Sequence, residues 1–277
     1  MRKVLISSAK GGVGKTTTTV FLAKALRDAG YKVGILDADI SAPNVPFALG
    51  FKPGERKPME VDNYLLKPHD KDGIKVVSYW FDTKNGIPFL LWAYDRTMNI
   101  LRAFCERVDW GDVDVLLIDC PPTSSDELIG LLQFLGHIDG AILIIQGNTV
   151  ASVEDAKIAK YTFDHHNVAV LGFIQNMMSD FFNSPDVDVE EEIKVPKIAE
   201  IPLSKDLDSK YKEYYKPVID FMVAKKLLPK VEKSKKVEKA ESDLEKAREI
   251  VKEVRAKKAE GKKTKTKKVK RKSKRKK

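Results

Sequence analysis

The sequence predicts an α/β fold, with a mostly parallel central sheet and helices on both faces, plus a C-terminal helical arm and a disordered basic tail. Three observations carry this. Seven short apolar runs rich in β-branched residues recur between residues 3 and 202, without the strict alternation of a half-exposed strand. Helix-patterned segments separate them, which is how parallel strand–helix–strand units are built. The charge is also unevenly placed: residues 230–277 hold 23 of the 50 Lys/Arg and 8 of the 40 Asp/Glu, leaving 27 against 32 in residues 1–229. An acidic globule carries a basic extension, and each needs its own explanation.

Strands are expected at KVLIS (3–7), KVGILD (32–37), IKVVSYW (74–80), VDVLLID (113–119), GAILIIQ (140–146), VAVLGFIQN (168–176) and KIAEIP (197–202). Helices are expected over 17–30, 94–108, 125–136 and 153–165. Gly30 supplies a C-terminal stop for the first, and Ser125 an N-cap for the third. A last helix over 216–228 closes the domain, and Pro229 ends it. The domain is thus residues 1–229. Residues 230–260 read as a charged helical extension with too thin an apolar stripe to enter a core, and 261–277 as a disordered Lys/Arg-rich tail.

Of the 277 residues 43% are apolar, enough for a sizeable core, yet no run of about 18 apolar residues offers a membrane span. The opening MRKVLISSAK runs straight into a strand and has no signal-peptide pattern. Two distant cysteines, Cys105 and Cys120, exclude a disulfide framework or a CxxC metal site. The four histidines have no ligand spacing. These features predict a soluble, reduced, cytoplasmic protein.

The chemistry concentrates at AKGGVGKTT (9–17), between the first strand and the first helix. Strand, glycine-rich turn and GKT entering a helix form the context of a phosphate-binding P-loop. Gly11, Gly12 and Gly14 let the backbone curl around Val13, so that successive N–H groups converge on phosphate oxygens. The helix start adds its positive dipole end. Lys15 is then placed for the β- and γ-phosphates, the Thr16 hydroxyl for Mg²⁺, and Thr17 for the α-phosphate side. Asp37 and Asp39 end the second strand, at the carboxyl edge where such sheets bind ligands. A carboxylate there can orient an attacking water or hold a metal-bound one. Asp119 ends another apolar strand, as a second metal-side carboxylate should.

KGGVGKTT, with its additional Lys10, resembles the deviant Walker A loop of the MinD/ParA/Mrp superfamily of P-loop ATPases (SIMIBI type). Residues 37–50, 87–122, 139–159 and 170–177 resemble the Mrp (ApbC-like) iron–sulfur carrier branch most. The resemblance covers roughly residues 1–229. It implies an ATPase that uses ATP and Mg²⁺ and switches between monomer and homodimer across the nucleotide. It implies that Lys10 crosses the interface to the partner's nucleotide, and that Asp39 is the switch I carboxylate that positions water. Asp119 would open switch II, Asn176 would read the adenine edge, and Pro202–Leu203 would line the base pocket.

Two departures stand out. Where Mrp-type proteins carry the CxxC that bridges a cluster, NMMSDFFNSPDVDVEEEIKVPKIAEIP (176–202) has no cysteine, so carriage of the usual iron–sulfur cluster is not expected. PPTSSDE (121–127) replaces PPGTGD, and losing glycines should stiffen switch II. FFNSPDVDVEEE (181–192) reads as a solvated surface loop, with a docking loop for an unidentified protein partner as the alternative.

Residues 262–277 carry 12 Lys/Arg in 16 positions, a composition that binds phosphate backbones by counterion release. Nucleic acid is the natural partner of such a tail; an anionic membrane and simple solubility are the other readings. A ParA-like, DNA-associated positioning or partitioning role is the main rival to iron–sulfur maturation.

Overall fold

The first strand in the chain sits in the middle of the sheet. The computed structural model describes residues 1–82, 94–123, 125–182 and 187–229. The strands are β1 (Arg2–Ser7), β2 (Val33–Asp37), β3 (Val61–Asp62), β4 (Leu65–Leu66), β5 (His69–Lys71), β6 (Ile74–Val77), β7 (Val115–Asp119), β8 (Gly140–Gln146), β9 (Val170–Met178) and β10 (Lys197–Pro202). The helices are α1 (Lys15–Asp28), α2 (Val45–Leu49), α3 (Tyr94–Glu106), α4 (Asp126–Phe134), α5 (Val150–His165), α6 (Val189–Ile193) and α7 (Leu207–Ala224).

Eight strands form one sheet in the order β10-β9-β8-β1-β7-β2-β6-β5, parallel except for β5. Strands from β8 onward lie to one side of β1 and the others to its opposite side. The crevice at the carboxyl end of β1 is therefore the topological switch point. There the registers align Ile6 with Asp119 and Asp37 with Asp119.

Because side chains alternate across a strand, each strand feeds two cores. Val4, Ile6, Ile35, Leu117 and Ile174 pack with α1 and α7 through Leu22, Leu26, Tyr215 and Val218. Leu5, Leu36, Ile118, Leu143 and Phe173 pack on the other face with Leu128, Leu131, Ala156 and Phe163. Each such fully buried large side chain contributes about 1.5–3 kcal/mol.

The expected strands and helices are present, with shifts at their ends. The strand expected over 74–80 stops at Val77, where Ser78 turns inward and Tyr79–Asp82 forms a 3-10 turn. The antiparallel edge strand β5 and the small β3–β4 hairpin had no expectation; Asn63 and Tyr64 close the hairpin with positive φ. The last helix begins at Leu207, nine residues before the expected 216, and Pro217 lies inside it. Leu207, Tyr211 and Tyr215 before that proline and Val218 and Met222 after it share one core with α1, so tertiary burial outweighs its lost hydrogen bond. The helix stops at Ala224, before Pro229. The acidic segment expected to be a solvated loop is in part α6: Asp188 caps Glu191 N, and Val189 and Ile193 are buried. The extension 230–260 and the tail 261–277 lie outside the described residues. Among the described residues no helix is long and apolar enough to cross a membrane.

α7 is also tied to α1 by charge. Tyr211 Oη donates to Asp28 Oδ2 at 2.5 Å, and Lys212 and Arg27 pair with the same carboxylate at 2.9 and 2.7 Å. Burial opposes ionisation of Asp28, but Lys212, Tyr211 and Arg27 outweigh it and hold the carboxyl at about 2. A depressed pKa contributes stability at neutral pH that is lost as pH falls from about 4 towards 2. Asp28→Asn is therefore expected to lower Tm by roughly 2–4 °C at pH 7, with the deficit shrinking below pH 4. Calorimetry from pH 7 to pH 3 tests this; a constant deficit would remove the ionised carboxylate from the clamp.

Candidate functional site

After β1 the chain turns through two left-handed glycines, Gly12 at φ 81° and Gly14 at φ 92°. Side chains beyond glycine rarely adopt such angles. Helix α1 then starts at Lys15, and its N-cap, Gly14, makes no side-chain cap. The first-turn N–H groups have no acceptor within the helix and are free to bind an anion. Val13 is buried and anchors the loop in the core. Its carbonyl accepts a 2.8 Å hydrogen bond from Asn176 Nδ2, at the carboxyl end of β9. Gly14 lies so close to that amide that a methyl group there would collide with it.

Beneath the loop sits a buried carboxylate. Asp119 accepts from Thr16 Oγ1 at 2.6 Å on one oxygen and from Thr19 Oγ1 at 3.0 Å on the other. Thr19 Oγ1 lies equally near the Lys15 carbonyl, so one hydroxyl proton serves both acceptors. Burial pushes the Asp119 carboxyl up, while Thr16, Lys15 and Thr19 favour its ionised form. Asp37, in register with it on β2, is fully buried. Its Oδ2 accepts from Ser78 Oγ at 2.7 Å and Val45 N at 3.2 Å. Its Oδ1 is buried with no hydrogen-bond partner. Burial, then Asp119, pushes Asp37 well above the usual carboxylate range. Asp39 is half-buried two residues on, accepting from Ala42 N at 2.9 Å. Burial raises it too, against that N–H and the Lys15 charge.

The fold thus gathers Lys15, Thr16, Asp39 and Asp119 at one end of the sheet. Lys10 and Thr17 are exposed on the loop and the first turn of α1. Pro202 pairs with Met178 where β10 meets β9, and Leu203 N donates to Met178 O at 3.0 Å. That turn and Asn176 therefore lie along the same edge, with the Leu203 side chain 58% exposed. Sequence reasoning missed Thr19 and Ser78, which orient the two buried carboxylates. Thr19 had a readable signal, lying one turn after Thr16 on the same helix face.

This oxygen set fits Mg²⁺, a hard cation held by few protein ligands together with phosphates and water. The Thr16 hydroxyl can donate to Asp119 and still offer a lone pair, and Asp37 Oδ1 accepts no bond. Burial pushes Cys105 up to about 12 and Cys120 higher still, so neither is a thiolate near neutral pH. A cavity of about 320 Å³ lined by Asn148, Gln175, Lys197 and Glu200 shares no residue with the loop.

Known proteins are similar to this chain in sequence and fold. A family model described as ParA, NUBPL iron-transfer P-loop NTPase, matches residues 1–240. An iron–sulfur cluster carrier protein of Methanocaldococcus jannaschii is 39% identical over 175 residues, 63% of this chain and 59% of the carrier. The matched stretch thus spans about three-fifths of that relative's length. A nucleotide-binding protein of Archaeoglobus fulgidus, solved with ADP, superposes with TM-score 0.60 at 29% identity, covering 84% of this chain and 94% of its own. The septum site-determining protein MinD of Pyrococcus horikoshii, solved with Mg-ADP, shares the fold at TM-score 0.57 and 21% identity, covering 76% of this chain and 85% of its own.

Gly14→Ala should lower stability by about 1–3 kcal/mol, the cost of a side chain in this backbone region. Gly11→Ala, where a Cβ meets nothing within 4 Å, should be near neutral by comparison. Adding Asn176→Ala to Gly14→Ala should recover only the collision and leave the backbone strain. Urea denaturation of the four proteins reads this directly, and equal midpoints for both glycine variants would contradict it.

Proposed function

The chain belongs to the NUBPL-type iron-transfer P-loop NTPases of the ParA family, and from that premise we propose that it binds and hydrolyses ATP as a homodimer serving iron–sulfur protein maturation. The observation that carries the nucleotide chemistry is the Thr16–Asp119–Thr19 hydrogen-bonded group beneath a loop turned by Gly12 and Gly14.

The N–H groups of Gly11 to Thr17, with Gly12, Val13 and Gly14 at the bend, would hold the phosphates, and Lys15 would pair with the β- and γ-oxygens. Thr16, with Asp119 and Asp39 acting through water, would hold Mg²⁺, which supplies charge neutralisation on those oxygens. Asp39 accepts a hydrogen bond from the attacking water and turns its lone pair towards the γ-phosphorus. Burial raises its pKa and so strengthens it as an acceptor. Asn176 spends one amide N–H on Val13 O, which leaves a second N–H and its carbonyl for the adenine edge, beside the Pro202–Leu203 turn.

The exposed Lys10 is assigned to the partner's nucleotide. A cation delivered in trans to the transferring phosphoryl group contributes roughly 10³–10⁵ in rate where measured. A complete site then exists only when two ATP-loaded copies meet, which makes ATP a monomer–dimer switch. The maturation role rests on the family and on what the similar carriers are named for. The two cysteines are buried or half-buried protonated thiols, so cluster ligands would come from the cargo or a partner protein. The DNA-partitioning alternative has the shared fold and the basic composition of 262–277 behind it, and no feature of the site favours it.

Full-length chain should turn over ATP with Mg²⁺ and lose turnover in EDTA. Lys15→Ala should lose both binding and turnover. Lys10→Ala should lose turnover by 10³-fold or more while retaining ATP binding by calorimetry; turnover equal to wild type would contradict the trans assignment. Incubated anaerobically with iron and sulfide, the chain alone should develop no cluster absorbance; a cluster held by the chain alone would refute the assignment of its ligands to a partner.

A further inference from the structure

Within the segment from Asp37 to Val45, Val45 N donates to Asp37 and Ala42 N to Asp39. One of its side chains reaches α4: Ser41 Oγ donates to Glu127 Oε1, in the first turn of that helix. Glu127 is 8% exposed, an unusual place for a carboxylate that, among the described residues, neither pairs with a cation nor caps its own helix. Ser125 performs that capping instead, accepting from Leu128 N. Burial raises the Glu127 carboxyl, against the Ser41 hydroxyl, which favours its ionised form.

Location gives this contact its meaning. Ser41 lies two residues after Asp39, and Glu127 eight residues after Asp119. The two segments already touch at their origin, where Ala38 N donates to Asp119 O at 3.0 Å. The Ser41–Glu127 contact is a second attachment further out. A loop held at one point can pivot, whereas one held at two points keeps its orientation. Asp39 lies between these two attachments.

We propose that Glu127 is a positioning residue for the hydrolytic reaction, bracing the Asp39 loop through Ser41 against the segment that begins at Asp119. This rests on the ATPase reading above and adds to it a residue that touches neither nucleotide nor metal. The brace makes the water-orienting loop and the metal-side segment move as one body when the γ-phosphate arrives. It does not hold the phosphates, which belong to the glycine loop and Lys15. It therefore acts on turnover and leaves ATP affinity alone.

The test uses full-length chain carrying Ser41→Ala, Glu127→Ala, the double substitution and Glu127→Gln. Each alanine variant should lower kcat about 10- to 100-fold, the scale of a misplaced reacting group, with KM for ATP within about twofold. Because both remove the same contact, the double variant should match the singles rather than multiply them. Glu127→Gln keeps an acceptor for Ser41 and should recover most of the rate. Multiplying effects, a raised KM with unchanged kcat, or no rescue by glutamine would overturn the proposal. Amide hydrogen exchange keeps this separate from the fate of the ATPase reading. Wild type without turnover would refute that reading. The brace still predicts faster exchange at residues 38–44 in Glu127→Ala and not in Glu127→Gln, and unchanged exchange in Glu127→Ala would overturn it.

Discussion

Two carboxylates, Asp37 and Asp119, are buried side by side at the carboxyl ends of adjacent strands, and the site is built around that constraint. Burial disfavours the charge on each, and each disfavours the other's. A fold retains such a pair only where something offsets it. Within the chain the offsets are hydroxyls, a backbone N–H and one cation: Thr16 and Thr19 on Asp119, Ser78 and Val45 N on Asp37, and Lys15 nearby. They are incomplete, since Asp37 Oδ1 accepts nothing. The remaining deficit is the property of a cation site, and it lies where the loop would present phosphates. Any Mg–nucleotide bound there relieves repulsion in the folded state, so binding and local stability are linked.

The glycine loop meets the same constraint from above. Its bend is set by φ values open to glycine, but its position comes from long-range contacts. Val13 plugs into the core, and Asn176, 163 residues away in sequence, takes its carbonyl. The absence of a Cβ at Gly14 thus serves both the turn and the packing of β9 against it. The phosphate cradle and the neighbourhood assigned to the base are in this way one mechanical unit.

Much of this was legible because it is local. Strand, loop and GKT helix are contiguous, and a run of apolar residues ending in aspartate marks a strand edge in any parallel sheet. Asp37, Asp39 and Asp119 could be placed at that edge without coordinates. What escaped depends on contacts between distant segments. Ser78 read as part of a strand because nothing local says that its hydroxyl must satisfy Asp37. The last helix is expected from residue 216, whereas packing of Tyr211 and Tyr215 on α1 carries it nine residues earlier. The acidic run 188–193 looked solvated, yet its two apolar residues, four apart, bury on one face of α6.

The departures from the carrier pattern bear on how energy and cargo are connected. The glycine-loop motif is present in the sequence, while residues 176–202 carry no cysteine and burial pushes the Cys105 and Cys120 thiols up. Residues 121–126 read PPTSSD where the carrier pattern has PPGTGD, without its two glycines, and the next residue, Glu127, reaches Ser41. Fewer glycines narrow the conformations open to a loop, and a side-chain brace narrows them further. On the proposed reading both features stiffen the Asp39 and Asp119 segments and couple them to each other. With the cluster ligands supplied by a partner, as proposed, the chain can act on that cluster provided that its surface changes with the nucleotide. Stiff coupling between Asp39 and Asp119 is what would carry a γ-phosphate signal out to that surface.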